Sequence, residues 1–539
     1  MSNKIFLYFI LIFIGILIFI YLLVFSSCGP NSLVLAPIVG PGAGGGINNQ
    51  LPLFSIGTYK MNTTNSSVKE EVSFGYFNYT TKPFAFVNIN PTNNNLIPIS
   101  FGNNSNFPNQ GNKVLVLGTA FAGGDYNSGT DRDIFWVGKI LDNNQSNWVQ
   151  TITVLGNNYI VVKGTNFIAR FNYNLNSFNS TFDTMTVKRV DNNNYILSDF
   201  QNIDQDFKSI AFIKGGTSDS TGYYGILVGR NCAFSCINTD NNGNNFSNLY
   251  GLTNPPATND YVWEDVIPFA KTYQNGLLIG HKISEGPGSA VFKGFDSSSG
   301  WGSDINGLSP FFMDPFYTSD YITLLSNNSI FKAAFIAGKN SLIGYINTPP
   351  NQNQFDPTKL EAIHLVNNGY SNVSFYGVTV LRIPGDTDTN YNVSGIAVGY
   401  DFSSNFPIIL RFQRTGDKDN NPQPPFNSHY SLNRVNISNL NLGSDVVLLD
   451  VNNVLINGVT YVYVVGVDLS NCPIKPYQSN PAPGVVLPPF TKSLVFSASA
   501  PFTTTDNDVI NTLANMRGFL LYSNDGGNSF ILLGNPFIK

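Results

Sequence analysis

Seven times along this chain an apolar strand closes on glycine, passes through a variable loop, and is followed by a second apolar strand that runs into Asn or Asp. VLVLG ends at Gly118 before IFWVGKILDNN, IVVKG at Gly164 before FIARFNYN, ILVG at Gly229 before AFSCINTDNNG, and LLIG at Gly280 before AVFKGFD. AFIAG ends at Gly338 before SLIGYIN, IAVG at Gly399 before IILRFQ, and VYVVG at Gly466 before the later strand GFLLYSND. One four-stranded sheet cannot bury both of its faces, whereas sheets set around an axis bury each other and leave few edges. A strand unit repeated in this way, with no amphipathic helix, predicts such a ring. The expected fold class is all-β, a β-propeller of seven blades, with six or eight also compatible. An eighth unit, VSFG to Gly75 followed by FAFVNIN, is expected to be an N-terminal hairpin completing the last blade.

The propeller is expected to span residues 55–539, behind an N-terminal transmembrane helix and a stalk. Ile5 to Phe25 is an uncharged, proline-free run of 21 residues, long enough to cross a hydrocarbon core of about 30 Å. It is longer than the apolar region of a cleaved signal peptide and reads as a signal-anchor. Lys4 precedes it and the next cation is Lys60, a bias that leaves residues 1–4 cytoplasmic and the bulk outside. The Gly/Pro-rich stretch 26–54 reads as a flexible stalk. Within it FSSCGP places Cys28 in a context similar to a bacterial lipoprotein box, with Phe25 where Leu is usual.

Only 12% of the 539 residues are charged, against 42% hydrophobic, and the net charge is -5. No basic run exists among the 29 Lys and Arg, which argues against nucleic acid as a partner. Eleven Asn-x-Ser/Thr sequons permit glycosylation, though a chain this rich in Asn carries about that number by chance. Cys232 and Cys236, four apart in NCAFSC, are candidates for a small disulfide loop unless a strand holds their Cα atoms too far apart. His281, His364 and His429 are isolated and read as ordinary surface or hairpin residues; no zinc spacing occurs. No cofactor motif is found.

Near the C-terminus, YSNDGGNSF reads as a tight turn between two strands, with Ser523 and Asp525 as acceptors and Gly526 and Gly527 supplying positive φ. It resembles the Asp-box of sialidase-type β-propellers, Ser-x-Asp-x-Gly-x-Ser/Thr-Trp/Phe, through Ser523, Asp525, Gly527, Ser529 and Phe530. That resemblance implies a structural joint between the two outer strands of a blade, away from any catalytic centre. Weaker versions are INTDNNGNNF, with Asp240, Gly243 and Phe246, and FDSSSGW, with Asp296, Gly300 and Trp301. The Asn-rich composition resembles proteins of large DNA viruses and of some protists.

Two further resemblances concern chemistry. LRIP, Leu381 to Pro384, is similar to the Phe/Tyr-Arg-Ile-Pro motif of sialidases, which implies Arg382 as one of three arginines clamping a substrate carboxylate. Leu381 replaces the aromatic, and Asp419 stands where a following Asp-box needs Gly. DTDTNYNVSGIAVG resembles the calcium loop of integrin-type propellers, which implies Asp386, Asp388, Asn390, Asn392 and Ser394 as ligands. Tyr391 occupies its Gly position, and the other repeats lack the pattern. Trp136, in a repeat strand, is expected in the core; Trp148, Trp263 and Trp301 are candidates to stack on sugars. A well-marked scaffold with an unmarked site predicts a non-catalytic, extracytoplasmic binding or structural surface protein, of a cell or a virion envelope, whose ligand is a glycan or another protein. The alternative is a sialidase-like glycoside hydrolase using Arg382.

Overall fold

The computed structural model describes residues 53–59, 71–76, 84–88, 96–100, 113–122, 131–174, 177–184, 206–214, 223–230, 232–237, 248–251, 261–268, 275–283, 290–296, 300–304, 314–322, 333–346, 359–381, 393–418, 426–456, 458–476, 490, 492–499 and 504–534. The apolar run 5–25 and most of the stalk lie outside these residues. Among the described residues no helix is long and apolar enough to cross a membrane.

The chain is mostly β-strand, arranged as small antiparallel sheets, numbered here in chain order. Sheet I comprises Leu53–Tyr59, Glu71–Tyr76, Phe84–Asn88 and Leu96–Ser100; sheet II comprises Lys113–Ala122, Asp131–Leu141, Thr165–Asn174 and Ser177–Thr184. Sheet III is Ser209–Lys214, Tyr223–Gly229, Cys232–Ile237 and Asn248–Gly251, and sheet IV is Tyr261–Pro268, Asn275–Lys282, Ala290–Asp296 and Gly300–Asp304. Sheet V, Phe316–Ile322, Ala333–Gly338, Ser341–Ile346 and Leu360–Ala362, joins sheet VI, Val373–Val380, Ser394–Asp401, Phe406–Lys418 and Phe426–Arg434, through a parallel pairing of their last strands. Sheet VII is Val446–Ile456, Val459–Asp468, Arg517–Ser523 and Ile531–Gly534.

The first strand of each sheet packs against the first strand of the next, and the first strand of sheet VII packs against that of sheet I. No hydrogen-bonded barrel closes among the described residues, because the neighbours meet mainly through side chains. Strands covered on both faces need no polar alternation. Accordingly Val373–Val380 and Ser394–Asp401 are buried at every position.

In six of the seven sheets the pairing of the first two strands slips by one residue, at Leu53/Ser55, Val116/Gly118, Trp263/Asp265, Phe316/Thr318, Phe375/Gly377 and Leu448/Asp450. Such a bulge re-aims a side chain and thrusts a carbonyl toward the partner strand. In five of those six sheets the second strand has glycine opposite the bulge: a Cβ added at Gly138 would overlap the Leu115 carbonyl oxygen, and one at Gly399 that of Ser374. Gly229, Gly280 and Gly338 meet the same obstruction, and Gly466 lies close to the Val447 carbonyl.

This geometry corrects the repeat alignment. Gly229, Gly280, Gly338, Gly399 and Gly466 close second strands as expected, but Gly118 lies in the first strand of sheet II and Gly164 just before its third. Both belong to one sheet, whose true counterpart is Gly138. The VSFG unit ending at Gly75, expected to complete the last blade, lies instead in the second strand of sheet I.

Two insertions, each between the second and third strands of its sheet, form a cap. Sheet II contributes the hairpin Val149–Val154 and Asn157–Val162. Sheet VII contributes the strand Val495–Ser497, which pairs with that hairpin, and the helix Asp506–Asn515. The helix corrects the expectation of none. Thr505 and Asp508 form a reciprocal capping box at its N-terminus, and Val509 and Leu513 bury its inner face. The cap seals one end of the ring of first strands. Phe54, Leu117, Tyr317, Tyr376 and Leu449, all at bulges, pack in one cluster with Trp148, Phe490, Leu494, Phe496 and the helix.

Candidate functional site

Along the axis, a cavity of about 220 Å³ is lined by residues of all seven first strands together with Lys492 of the cap. Residues just beyond the bulges line it, among them Ser55, Asp265, Thr318 and Asp450, with Ser209 from the unbulged sheet III, followed by Thr119, Asp320, Tyr321 and Asn452. Its polar lining is largely spent on joining neighbouring sheets. Asp265 accepts from Ser209 Oγ of sheet III (2.8 Å), from its own neighbour Val266 N (2.9 Å) and from Ser319 N of sheet V (2.8 Å). Asp320 accepts from Tyr321 N (2.9 Å) and from Thr379 Oγ1 (2.7 Å) and Val380 N (2.8 Å) of sheet VI. Asp450 accepts from Val451 N (2.9 Å) and from Ile56 N of sheet I (3.0 Å). Asn452 completes that last join by donating to the Ile56 carbonyl (3.2 Å).

Burial pushes the carboxyls of Asp265 and Asp450 above the ordinary carboxylate range, against the opposing charge of Lys492. Burial likewise raises the Tyr321 hydroxyl, with Asp320 and Asp265 adding to it.

Beside the cavity a buried polar cluster ties sheets II, III and IV to the cap. Asp206 pairs with Lys139 of sheet II and with Arg230 Nε (2.8 Å). Lys208 donates to the Ser493 carbonyl, and Ser493 Oγ bonds Glu264. His281 Nε2 faces Glu264 Oε1 (3.0 Å) and Ser493 Oγ (3.1 Å), while its Nδ1 meets the Lys282 carbonyl (3.1 Å). Burial favours a neutral Glu264, yet Lys208 and His281 outweigh it and hold the carboxyl below its ordinary value. Burial lowers Lys208, against the pull of Glu264 and Asp206. His281, expected at the surface, is thus a core residue at 1% exposure. A serine, an imidazole and a carboxylate meet here, but serine and carboxylate share one ring nitrogen. They do not flank the imidazole in a proton relay.

The Asp-box residues form the turn between the two outermost strands of sheet VII. Asp525 Oδ1 accepts from Asn528 N (2.9 Å) and Ser529 N (3.0 Å), its Oδ2 accepts from Ser529 Oγ (2.6 Å), and Ser523 Oγ accepts from Gly527 N (2.9 Å). Gly526 and Gly527 have φ of 70° and 81°, and Phe530 is buried among residues of sheets VI and VII. Burial raises the Asp525 carboxyl, but the bonds from Ser523, Ser529 and Asn528 outweigh it and hold it low. Asp525→Ala is therefore expected to cost about 1–2 kcal/mol in denaturant unfolding near neutral pH. Because the folded-state pKa is depressed, that contribution is present above the unfolded value and shrinks as pH falls through the folded one. FDSSSGW likewise spans the outer strands of sheet IV. Asp240, Gly243 and Phe246 lie outside the described residues.

So do Arg382, Asp386, Asp388, Asn390 and Asn392. Ser394 is described and buried at the start of its strand, and Leu381 is core. Other arginines are engaged in separate places. Arg414 grips Glu361 through Nε and Nη2 (both 3.0 Å), Arg434 pairs with Asp401 (2.8 Å), Arg230 with Asp206, and Arg411 with Asn528. No arginine lines the cavity among the described residues.

Cys232 and Cys236 stand in one strand, Cys232–Ile237, where about 3.3 Å per residue sets their Cα atoms roughly 13 Å apart. That is beyond the reach of a disulfide, and the expected loop is corrected. Trp136 is core as expected. Trp148 and Trp263, candidates for sugar stacking, are wholly buried as well. The signal for the cavity was an Asp in the first strand of a sheet, in WEDVI, TSDYI and LLDVN. No protein-family model matches the chain, and no curated protein matches it in sequence.

Proposed function

We propose that the seven sheets are the blades of a β-propeller and that the chain is a non-catalytic binding or structural module, displayed outside a membrane by the apolar run Ile5 to Phe25. The observation that carries the non-catalytic reading is the use made of the axial carboxylates. Asp265, Asp320 and Asp450 each bond backbone N–H groups, one of them on the adjacent sheet. A carboxylate so occupied serves the scaffold and is poorly placed to act as a general acid or base. The ligand class is a glycan or a protein met by the loops, since a rigid scaffold with variable connections is the usual support of recognition.

The test is a glycan and protein interaction screen with the full chain in membrane vesicles, run beside a fluorogenic sialoside assay. Saturable binding without turnover is expected. Release of sialic acid that disappears in Arg382→Ala would replace this reading with a glycoside hydrolase. Protease applied to sealed vesicles is expected to remove nearly the whole mass, and full protection would reverse the orientation.

A further inference from the structure

We propose that Phe490 and residues 492–494 form a strap that is a tethered plug at the cap end of the axial cavity, and that Lys492 is its electrostatic latch, the counter-ion that the chain itself supplies to Asp265 and Asp450. The inference rests on cavity geometry and stands whether or not the binding role is correct.

The strap is pinned from several directions. Tyr376 Oη donates to the Phe490 carbonyl (3.3 Å), Lys492 Nζ donates to the Tyr376 carbonyl (3.2 Å), and Ser493 is held by Lys208, Glu264 and His281. These partners come from sheets III, IV and VI, so the strap straddles the ring end. Phe490 and Leu494 anchor in the apolar cluster above. Leu494 adopts φ 54°, a costly backbone for a buried leucine that persists only where the surroundings impose it.

Between its anchors the strap puts one cation into the cavity. The charged and titratable groups lining that space are Lys208 and Glu264, which offset each other, Asp265 on sheet IV, Asp320 and Tyr321 on sheet V, Asp450 on sheet VII, and Lys492. Lys492 is the cation acting on both Asp265 and Asp450, and Asp265 in turn disfavours charge on Asp450. Without the ammonium, two like carboxylates would share a low-dielectric space. They would relieve it by taking up protons.

The test is the unfolding midpoint of full-length Lys492→Met, which keeps the stem and removes the charge, measured against the wild type from pH 4.5 to 8. Loss of the ammonium raises the folded-state carboxyl values further. A raised value favours folding below the unfolded pKa and loses that benefit as pH rises through the folded one. The variant's deficit should therefore grow by roughly 3–6 °C from pH 4.5 to pH 7.5, above a small loss common to every pH from the missing bond to the Tyr376 carbonyl. Adding Asp265→Asn and Asp450→Asn should abolish the pH-dependent deficit, and it keeps the test readable if the single variant folds only in acid. A deficit equal at every pH, no deficit at all, or a pH dependence that persists in the triple variant would overturn the proposal.

Discussion

Asp206→Ala is expected to cost about 3–5 kcal/mol of stability at neutral pH, the range observed when one partner of a buried ion pair is removed. The residue is small and precedes its sheet's first strand, yet it carries the charge balance of the cluster beside the axial cavity. Lys139 and Arg230 are 1% and 0% exposed and both pair with it. Removing the carboxylate leaves two cations desolvated, with Lys208 close by. Asp206→Asn keeps a hydrogen-bond acceptor for Arg230 Nε and restores only part of the loss, because the Coulomb attraction is what offsets desolvation. Burial by itself would raise the Asp206 carboxyl, but Arg230, Lys139 and Lys208 hold it well below the usual carboxylate range. Its contribution is thus complete above the unfolded value of about 4 and is lost only as pH falls through the depressed folded value. Chemical unfolding at pH 7 and pH 3 should show the variant's deficit shrinking in acid. A deficit under about 1 kcal/mol at pH 7 would mean that the cations find other partners.

That cluster was invisible to pattern reading, and the reason is physical. Lys139, Asp206, Arg230, Glu264 and His281 come from three sheets, and nothing local marks a charged residue in a strand end as buried. The strand-and-glycine unit was legible because it has a local cause: a backbone carbonyl at the start of one strand leaves no room for a Cβ on the next. The alignment still slipped, because an apolar run closing on glycine does not reveal whether a bulge stands opposite. Gly118 and Gly164 satisfy the pattern within a single sheet, while the unit in sheet I, whose second strand puts Tyr76 where the other sheets have glycine, reads as a hairpin completing the last blade. One sheet is thus counted twice and another is left out of the count. The Asp-box turn was legible because the bonds of Ser523 and Asp525 that shape it lie within Ser523–Ser529. The cap helix was missed although TTTDNDVI carries a capping box, because ten residues between long strands leave little periodicity to read.

The ring joins its two ends at Ile56, and cutting that join should be the second-largest single effect. Asp450 accepts the Ile56 N–H and Asn452 donates to the Ile56 carbonyl, so two side chains satisfy both backbone groups as a paired strand would. Asp450→Ala strands the Ile56 and Val451 N–H groups in a poorly solvated wall and is expected to cost about 2–3 kcal/mol. Asn452→Ala, which removes one neutral bond, should cost about 1 kcal/mol. Asp450→Asn removes the charge and one acceptor together. Ile56 N and Val451 N bond different carboxylate oxygens, so asparagine keeps one bond and turns its amide NH2 toward the other N–H. It should fall between the wild type and Asp450→Ala at pH 7. Burial raises the Asp450 carboxyl, so losing its charge offsets part of that cost at pH 7, and the deficit should widen as pH falls and the wild-type carboxyl takes up its proton. Hydrogen exchange locates the effect: in Asp450→Ala the amides of Leu53–Tyr59 should lose protection before those of sheets III to VI. At that seam Leu53–Tyr59 of sheet I packs against Val446–Ile456 of sheet VII, far apart along the chain. If protection instead falls evenly around the ring, the seam is no weaker than the other six joins, and the clasp is only one among equals.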